Sequence, residues 1–253
     1  MKGLRVSRQV GLHYGAMALY TAILHNLFLL YHIEMFVSVF KIDKLSFYIG
    51  EIVFLVWNSC NDPLFGWISD RKFLHRAEET DQSQVIITRL RALLFNGPLF
   101  AVSFLLFWVS WTFPSLQFVI CLCAYDGFLT MIDLHHTALL ADLSVSTTVR
   151  TDLNMYCSIF SALGSLSVFL SYAVWSHDSL LPFQTFCVCL VIAAIIGFVV
   201  SSRTLEKLYR KSEEKLSSHK RCYSFDDMIL NLEAALALLI IFNHTKGVVT
   251  LMM

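Results

Sequence analysis

Long apolar stretches recur along this chain, and short polar segments separate them. A helix that crosses about 30 Å of hydrocarbon needs about 20 residues, because each residue adds about 1.5 Å. The pattern therefore predicts an all-α membrane domain with six transmembrane helices, contained in residues 1–201. The six predicted helices cover residues 10–33, 45–68, 92–111, 116–140, 153–175 and 180–200.

The composition agrees with a membrane environment. Of the 253 residues, 57% are hydrophobic and 15% are charged, and the mean hydropathy is +0.63. Soluble domains contain about 45–50% apolar and about 25% charged residues. We therefore expect the lipid bilayer as the surrounding medium. The 19 basic and 19 acidic residues cancel, so the net charge indicates no nucleic-acid partner.

The basic residues are unevenly distributed among the polar segments. All but Lys41 and Lys44 lie in the N-terminal segment, in the segments after the second and fourth predicted helices, or in the C-terminal segment. Cytosolic segments are enriched in Lys and Arg, so both termini are predicted to be cytosolic. We expect no cleaved signal peptide, because the first apolar stretch is too long for one. Among cellular membranes we expect the plasma membrane.

Residues 202–253 are predicted to form a cytosolic segment. Residues 203–225 are basic with apolar residues at helical spacing, and both an amphipathic helix on the membrane surface and a solvated linker fit this pattern. Residues 228–253 are apolar, but their longest uninterrupted run, 234–242, would span only about 14 Å. We therefore predict an apolar tail and no seventh membrane helix.

The sequence contains no residues with the spacing of a catalytic triad, a phosphate-binding loop or a zinc site. Six of the seven cysteines fall within predicted helices, where packing is the preferred interpretation. The adjacent His135 and His136 point about 100° apart, so we expect a packing role; a pH-sensitive histidine in a cavity near Asp133 is the alternative. We predict that the chain is not an enzyme and has no cofactor.

Two of the predicted membrane helices carry polar stripes. In the second, Glu51, Asn58 and Asp62 are seven and four residues apart, and in the fourth, Asp126 and Asp133 are seven apart, so each set shares one helical face. A charged group near the membrane centre costs about 2.5–3.5 kcal/mol on insertion scales. One interpretation is local satisfaction by interfacial water. The preferred one is a hydrated site where the carboxylates bind a cation or a proton.

A proline and several small residues indicate how two of these helices pack. Pro63 removes one hydrogen bond from the second helix and is expected to bend it. Gly66, on the same helix, is expected to let a neighbouring backbone approach closely. In the fifth predicted helix, four small residues form a face that favours close helix packing: Ser161, Ala162, Gly164 and Ser165.

The ten residues from Asp62 to Arg71, DPLFGWISDR, carry the most specific motif of the chain. They resemble the motif after the second helix of the major facilitator superfamily, in the form found in its glycoside-pentoside-hexuronide:cation symporter branch. Residues 138–143 and 150–165 are similar to the same branch in order and spacing. The resemblance covers about residues 10–225, and it implies one six-helix half of a twelve-helix fold with alternating access to a central cavity.

The resemblance also implies two sets of functional residues. In the symporter branch, carboxylates of the second and fourth helices hold the coupling cation, Na⁺ or H⁺, and the matching positions here are Asn58, Asp62 and Asp133. Asn58 is an amide where the branch has a carboxylate, and Asp126 is a further candidate on the fourth helix. A gating motif matches at three positions, which are Gly66, Asp70 and Arg71.

Two functional hypotheses follow. In the first, the chain is a cation-coupled symporter of a small polar solute. Because six helices leave one wall of the central cavity unprovided, we then expect transport only when the chain pairs with a second six-helix half or with another copy of itself. In the second, it is a non-transporting six-helix membrane protein that acts as a regulatory or structural partner. Cross-linking in native membranes distinguishes a discrete dimer from a monomer.

Overall fold

The computed structural model describes residues 8–77, 82–143, 146–176 and 179–214, without the side chains of residues 70, 72–77 and 82. The predicted apolar tail lies outside these residues. Regular structure within them is entirely helical, as predicted. The helices are α1 (Arg8–Glu34), a π-helical turn (Met35–Val39), α2 (Lys44–Ala77), α3 (Gln82–Leu105), α4 (Pro114–Leu143), α5 (Thr147–Ser165), α6 (Ser167–Val174) and α7 (Leu181–Glu214).

Five helical segments are long and apolar enough to cross a membrane: Arg8–Val39, Ser83–Leu105, Pro114–Leu143, Thr147–Val174 and Leu181–Glu214. They correspond to the predicted first, third, fourth, fifth and sixth membrane helices. Helix α2 has 34 residues, which is ample length, but its polar stripe makes it less apolar than the other five segments. Length and composition therefore confirm five of the six predicted membrane helices.

Helix α3 begins and ends earlier than its apolar stretch of residues 92–111 predicts. It starts at Gln82, so its first turns are polar, and it ends at Leu105. The Gln117 side chain explains the early end, because its Nε2 donates to the carbonyl oxygens of Leu106 at 2.9 Å and Val109 at 2.8 Å. These bonds satisfy carbonyl groups that a continuing helix would otherwise have used.

Small residues bring α1 and α5 into close contact along their lengths. A Cβ atom at Gly164 would lie 2.8 Å from the backbone oxygen of Leu19, so only glycine fits there. Next to it, Asn26 Nδ2 donates to Ser165 Oγ at 3.0 Å. The predicted close packing is confirmed at Gly164, whereas Ala162 of the same predicted face is exposed.

Helix α4 packs against both α2 and α3, and aromatic side chains fill the space between them. Phe28, Phe107 and Phe100 surround the buried Tyr125 at ring-centroid distances of 4.2, 5.7 and 5.0 Å. Burial of such large rings gives a rigid contact between α1, α3 and α4. This core positions the α4 face that meets α2.

The chain divides into two compact units, Met1–Glu206 and Lys207–Met253. The first contains all the residues discussed below. In the second, residues 207–214 are helical, and Tyr209 donates to Glu213 Oε1 at 3.3 Å. Up to residue 214 the basic segment is therefore helical, and whether this helix lies on the membrane surface stays a prediction.

Candidate ion and solute site between α1, α2 and α4

Polar side chains line the contact between α2 and α4. Asn61 is fully buried there, and its Nδ2 donates to Asp126 Oδ2. One residue further along α2, Asp62 Oδ1 accepts a hydrogen bond of 3.0 Å from Thr130 Oγ1. Two successive residues of α2 thus bind two residues of α4 that are one helical turn apart.

Three carboxylates come together at this contact. Asp126, Thr130 and Asp133 lie on one face of α4 because they are four and three residues apart. Asp62 is bonded to the middle residue, and its carboxylate interacts electrostatically with both Asp126 and Asp133. Carboxylates that interact in this way repel each other when all are ionised, and a cation or proton bound among them would reduce that repulsion.

The described residues contain no group of three or more His, Cys, Asp or Glu side chains arranged to hold one metal ion. An ion held by Asp62 and Asp133 would need neutral oxygen ligands in addition. Thr130 Oγ1 is in place, and Asn58 is exposed on the same helix as Asp62. Asn61 Oδ1 is buried and has no hydrogen-bond partner among the described residues. Such an oxygen suits a hard cation or a bound water.

Sequence reasoning missed Asn61 as the residue of α2 that bonds to α4. It selected Asn58 and Glu51 by their spacing from Asp62, and Glu51 lies nearer the start of α2, in the wall of a separate cavity. A signal was available, because Asn61 is a second amide in an apolar stretch, directly before Asp62. Its burial depends on how α2 is rotated against α4, which spacing alone does not define.

A cavity of about 530 Å³ lies between α1, α2 and α4. Its wall combines two carboxylates, Glu51 and Asp126, with two histidines of α1, His25 and His32. Most of the remaining wall is aromatic or aliphatic. Asp126 therefore belongs both to this cavity and to the carboxylate cluster around Asp62.

The two adjacent histidines of α4 have different surroundings. His136 stacks on Tyr14 of α1 with the ring centroids 4.1 Å apart, and its Nε2 lies 3.1 Å from the Tyr14 carbonyl oxygen. In return, the Tyr14 hydroxyl donates to the His136 carbonyl oxygen at 2.9 Å. His136 thus packs α1 against α4. His135 lines a second cavity of about 400 Å³, together with Ser69 and Arg91.

The three residues of the predicted gating motif lie on α2. Around Gly66, no described atom lies within 4 Å of the position that a Cβ would occupy, so the closely approaching neighbour expected there is not found in the described chain. Arg71 is exposed, with its guanidinium 4.5 Å from the centroid of the Trp67 ring. The Asp70 side chain lies outside the described part. Nearby, Arg89 of α3 and Asp142 of α4 form an ion pair of 2.5 Å.

Comparison with known proteins identifies the family of this chain. The profile of the family described as "MFS/sugar transport protein" matches residues 12–252, which is nearly the whole chain. The chain belongs to this family. It is therefore a multi-pass membrane protein with a transporter-like domain, as the helices also indicate.

Two relatives of this chain carry the name transmembrane protein 180. The protein from Gallus gallus is 59% identical over 199 residues, which is 78% of this chain and 39% of the relative. The protein from Mus musculus is 55% identical over 198 residues, covering 77% of this chain and 38% of the relative. The chain thus spans about two fifths of the length of these curated relatives. No solved structure matches the chain.

Proposed function

We propose that this chain provides the ion-binding half of a cation-coupled symporter for a small polar solute. The observation that supports this most strongly is the position of Asp62. Its carboxylate accepts a hydrogen bond from Thr130 and interacts with two further carboxylates across the α2–α4 contact. Membership of a transport family gives this cluster a context in which binding of an ion has a use.

The physical argument concerns charge in a medium of low dielectric constant. Asp62 and Asp133 are both exposed in the described chain. Once a second half covered them inside the membrane, these two interacting carboxylates would be costly unless a positive charge lay between them. Na⁺ or H⁺ bound at Asp62 and Asp133 supplies that charge, with oxygens of Thr130 and Asn58 as additional ligands for Na⁺. Asn61 fixes Asp126 beside them and leaves one buried oxygen available.

A second six-helix half is the partner we propose for this chain. Much of α2 is exposed, including the apolar residues Ile52, Val56 and Leu64, and the surface at Gly66 is open. Packing within the described chain does not require a glycine at position 66. A helix of the second half that packed against Gly66 would explain why this position lacks a side chain. The second half comes either from the same polypeptide, as the greater length of the relatives suggests, or from another copy. The plasma membrane is the proposed location.

Ion binding can be tested on the chain itself, because all the proposed ligands lie on α2 and α4. The chain is placed in lipid nanodiscs and its binding of ²²Na⁺ is measured at several pH values. We expect binding that protons inhibit, and a loss of about tenfold or more in Asp62→Asn and in Asp133→Asn, because each removes one of the two charges that neutralise the ion.

The matched control is Asp152→Asn, since Asp152 is exposed at the start of α5 and far along the chain from the cluster. It should bind ²²Na⁺ like the unmodified chain. A pH-indicator dye records whether Asp62 and Asp133 take up protons in the absence of Na⁺. If neither Na⁺ nor protons bind in a way that depends on these two residues, the proposal is rejected.

A further inference from the structure

We infer that the cavity between α1, α2 and α4 binds a compact organic cation with an aromatic or aliphatic body. This inference rests on the proposed function, for which it names the class of solute. The cavity has about 530 Å³, a size typical of small-molecule sites. Three features of its wall select the class: the sign of its charge, its aromatic rings and its connection to the carboxylates around Asp62.

The charged side chains in the wall are both acidic. Glu51 reaches the cavity from α2 and Asp126 from α4, and both are half-buried; the described wall includes neither lysine nor arginine. A neutral or anionic solute would leave these two carboxylates without a counter-charge. A single positive charge between them is attracted by both, and more strongly than in water.

In their neutral form, the two histidines of the wall add no charge, so the charge of the wall remains that of its two carboxylates. His32 Nδ1 lies 2.7 Å from the carbonyl oxygen of Phe28, so Nδ1 is the nitrogen that donates. Its Nε2 is then an acceptor. His25 Nδ1 is 3.4 Å from the Tyr125 hydroxyl, so the inner wall presents a hydrogen-bonded pair at that point.

Aromatic rings form much of the remaining surface. Phe28, Phe47, Tyr48, Phe54 and Tyr125 all line the cavity. Aromatic faces attract cations, and they also pack against the apolar part of a solute. Phe28 is held in place by its stacking on Tyr125, with ring centroids 4.2 Å apart, so part of the lining is rigid before a solute binds.

Asp126 connects this cavity with the proposed ion site. It lines the cavity, accepts a hydrogen bond from Asn61 and interacts with the Asp62 carboxylate. A cationic solute at Asp126 therefore changes the potential at Asp62. The cavity opens at the surface of the described chain, where its lining residues Leu29, Ile33 and Tyr48 are exposed.

The test uses two probes of the same shape, phenyltrimethylammonium and its uncharged counterpart tert-butylbenzene. Binding of tritiated phenyltrimethylammonium to the full chain in nanodiscs is measured without Na⁺, and tert-butylbenzene is added as a competitor. We expect saturable binding that tert-butylbenzene displaces at least about tenfold less effectively than unlabelled phenyltrimethylammonium, because it lacks the charge.

Variants then locate the site. Glu51→Gln should weaken phenyltrimethylammonium binding by about tenfold, and Glu51→Asp should restore part of it, whereas Asp152→Asn should have no effect. Asp126→Asn should weaken binding as well, but it also changes the contact with Asn61. Phe54→Leu therefore serves as a second wall variant that removes a ring and keeps the charge, and a several-fold loss is expected from it.

The results separate this inference from the proposed function. Loss of ²²Na⁺ binding in Asp62→Asn, together with phenyltrimethylammonium binding that this variant weakens less than Glu51→Gln does, supports two distinct but coupled sites. If ²²Na⁺ binds as proposed but phenyltrimethylammonium does not, the cavity is not an organic-cation site and only the inference is overturned. Equal displacement by tert-butylbenzene, or binding that is unchanged in Glu51→Gln, also overturns it.

Discussion

The carboxylates of this chain differ in which groups donate hydrogen bonds to them. Asp43 is the residue before α2, and its Oδ2 accepts a hydrogen bond of 3.0 Å from the Ser46 backbone N–H. Hydrogen bonds from the side chain and backbone of Ser46 hold the pKa of Asp43 below its ordinary value of 3.8. Its partners therefore come from the first turn of its own helix, as is typical of an N-cap. Asp62 depends instead on Thr130 of another helix.

Asp43→Ala should destabilise the first turn of α2 at neutral pH. Because the folded-state pKa is lowered, the ionised carboxylate stabilises the folded chain above the ordinary pKa, and this contribution is lost as the pH falls below about 4. Thermal unfolding in detergent should show a lower Tm for Asp43→Ala at about pH 6, and a smaller difference at about pH 3. Asp43→Asn, which retains a capping oxygen, is the control. A difference that is the same at both pH values would contradict this account.

At the level of helices, glycine has two different roles in this structure. Gly164 of α5 lies against the backbone of α1, where even a methyl group would collide with the Leu19 oxygen at 2.8 Å. Gly66 of α2 has open space where a Cβ would be. Packing within the described chain therefore requires glycine at position 164 but not at position 66.

This difference predicts opposite results for two alanine substitutions. Gly164→Ala should destabilise the chain by roughly 1–3 kcal/mol, because the fixed backbone of α1 cannot move away. Gly66→Ala should be neutral or stabilising by up to about 1 kcal/mol, since alanine favours the helix. Unfolding of both variants in a denaturing detergent titration measures the free energies. Equal destabilisation by the two substitutions would contradict the packing described here.

The sequence predicts the membrane helices well and the site only in part. Stretches such as residues 116–140 have one strong physical requirement, enough apolar length to cross the membrane, and α4 accordingly covers them. Which residues form the site depends on how α2 is rotated about its own axis. Asn58 and Asn61 are three residues apart, so a modest rotation of α2 decides which of them faces α4. Helix α2 is apolar on several faces, and the pattern therefore left that rotation open.

For the whole molecule, the distribution of basic residues predicts the orientation in the membrane. Lys44 begins α2, while Thr147 begins α5 close to Arg150. Because consecutive membrane helices alternate in direction, these two helix starts belong to opposite sides. The excess of basic residues predicts that Thr147 lies in the cytosol and Lys44 outside.

Cysteine labelling in intact cells tests this orientation. A membrane-impermeant maleimide should label Lys44→Cys without permeabilisation and Thr147→Cys only after it, because both positions are exposed but face opposite sides. The unmodified chain gives the background from its own cysteines, of which Cys60 and Cys189 are exposed. The reverse labelling pattern would show that the termini face away from the cytosol.

The bond between Asn26 and Ser165 has a consequence for biosynthesis. The two residues are 139 positions apart, so at about 5–20 residues per second Asn26 is made roughly 7–28 s before the hydroxyl that accepts its hydrogen bond. During that interval α1 has left the ribosome without α5, and its amide needs another partner in the membrane. Release of α1 from the insertion machinery is therefore expected to wait for the fifth span, and a ribosome stalled before Ser165 should retain α1 beside the translocon.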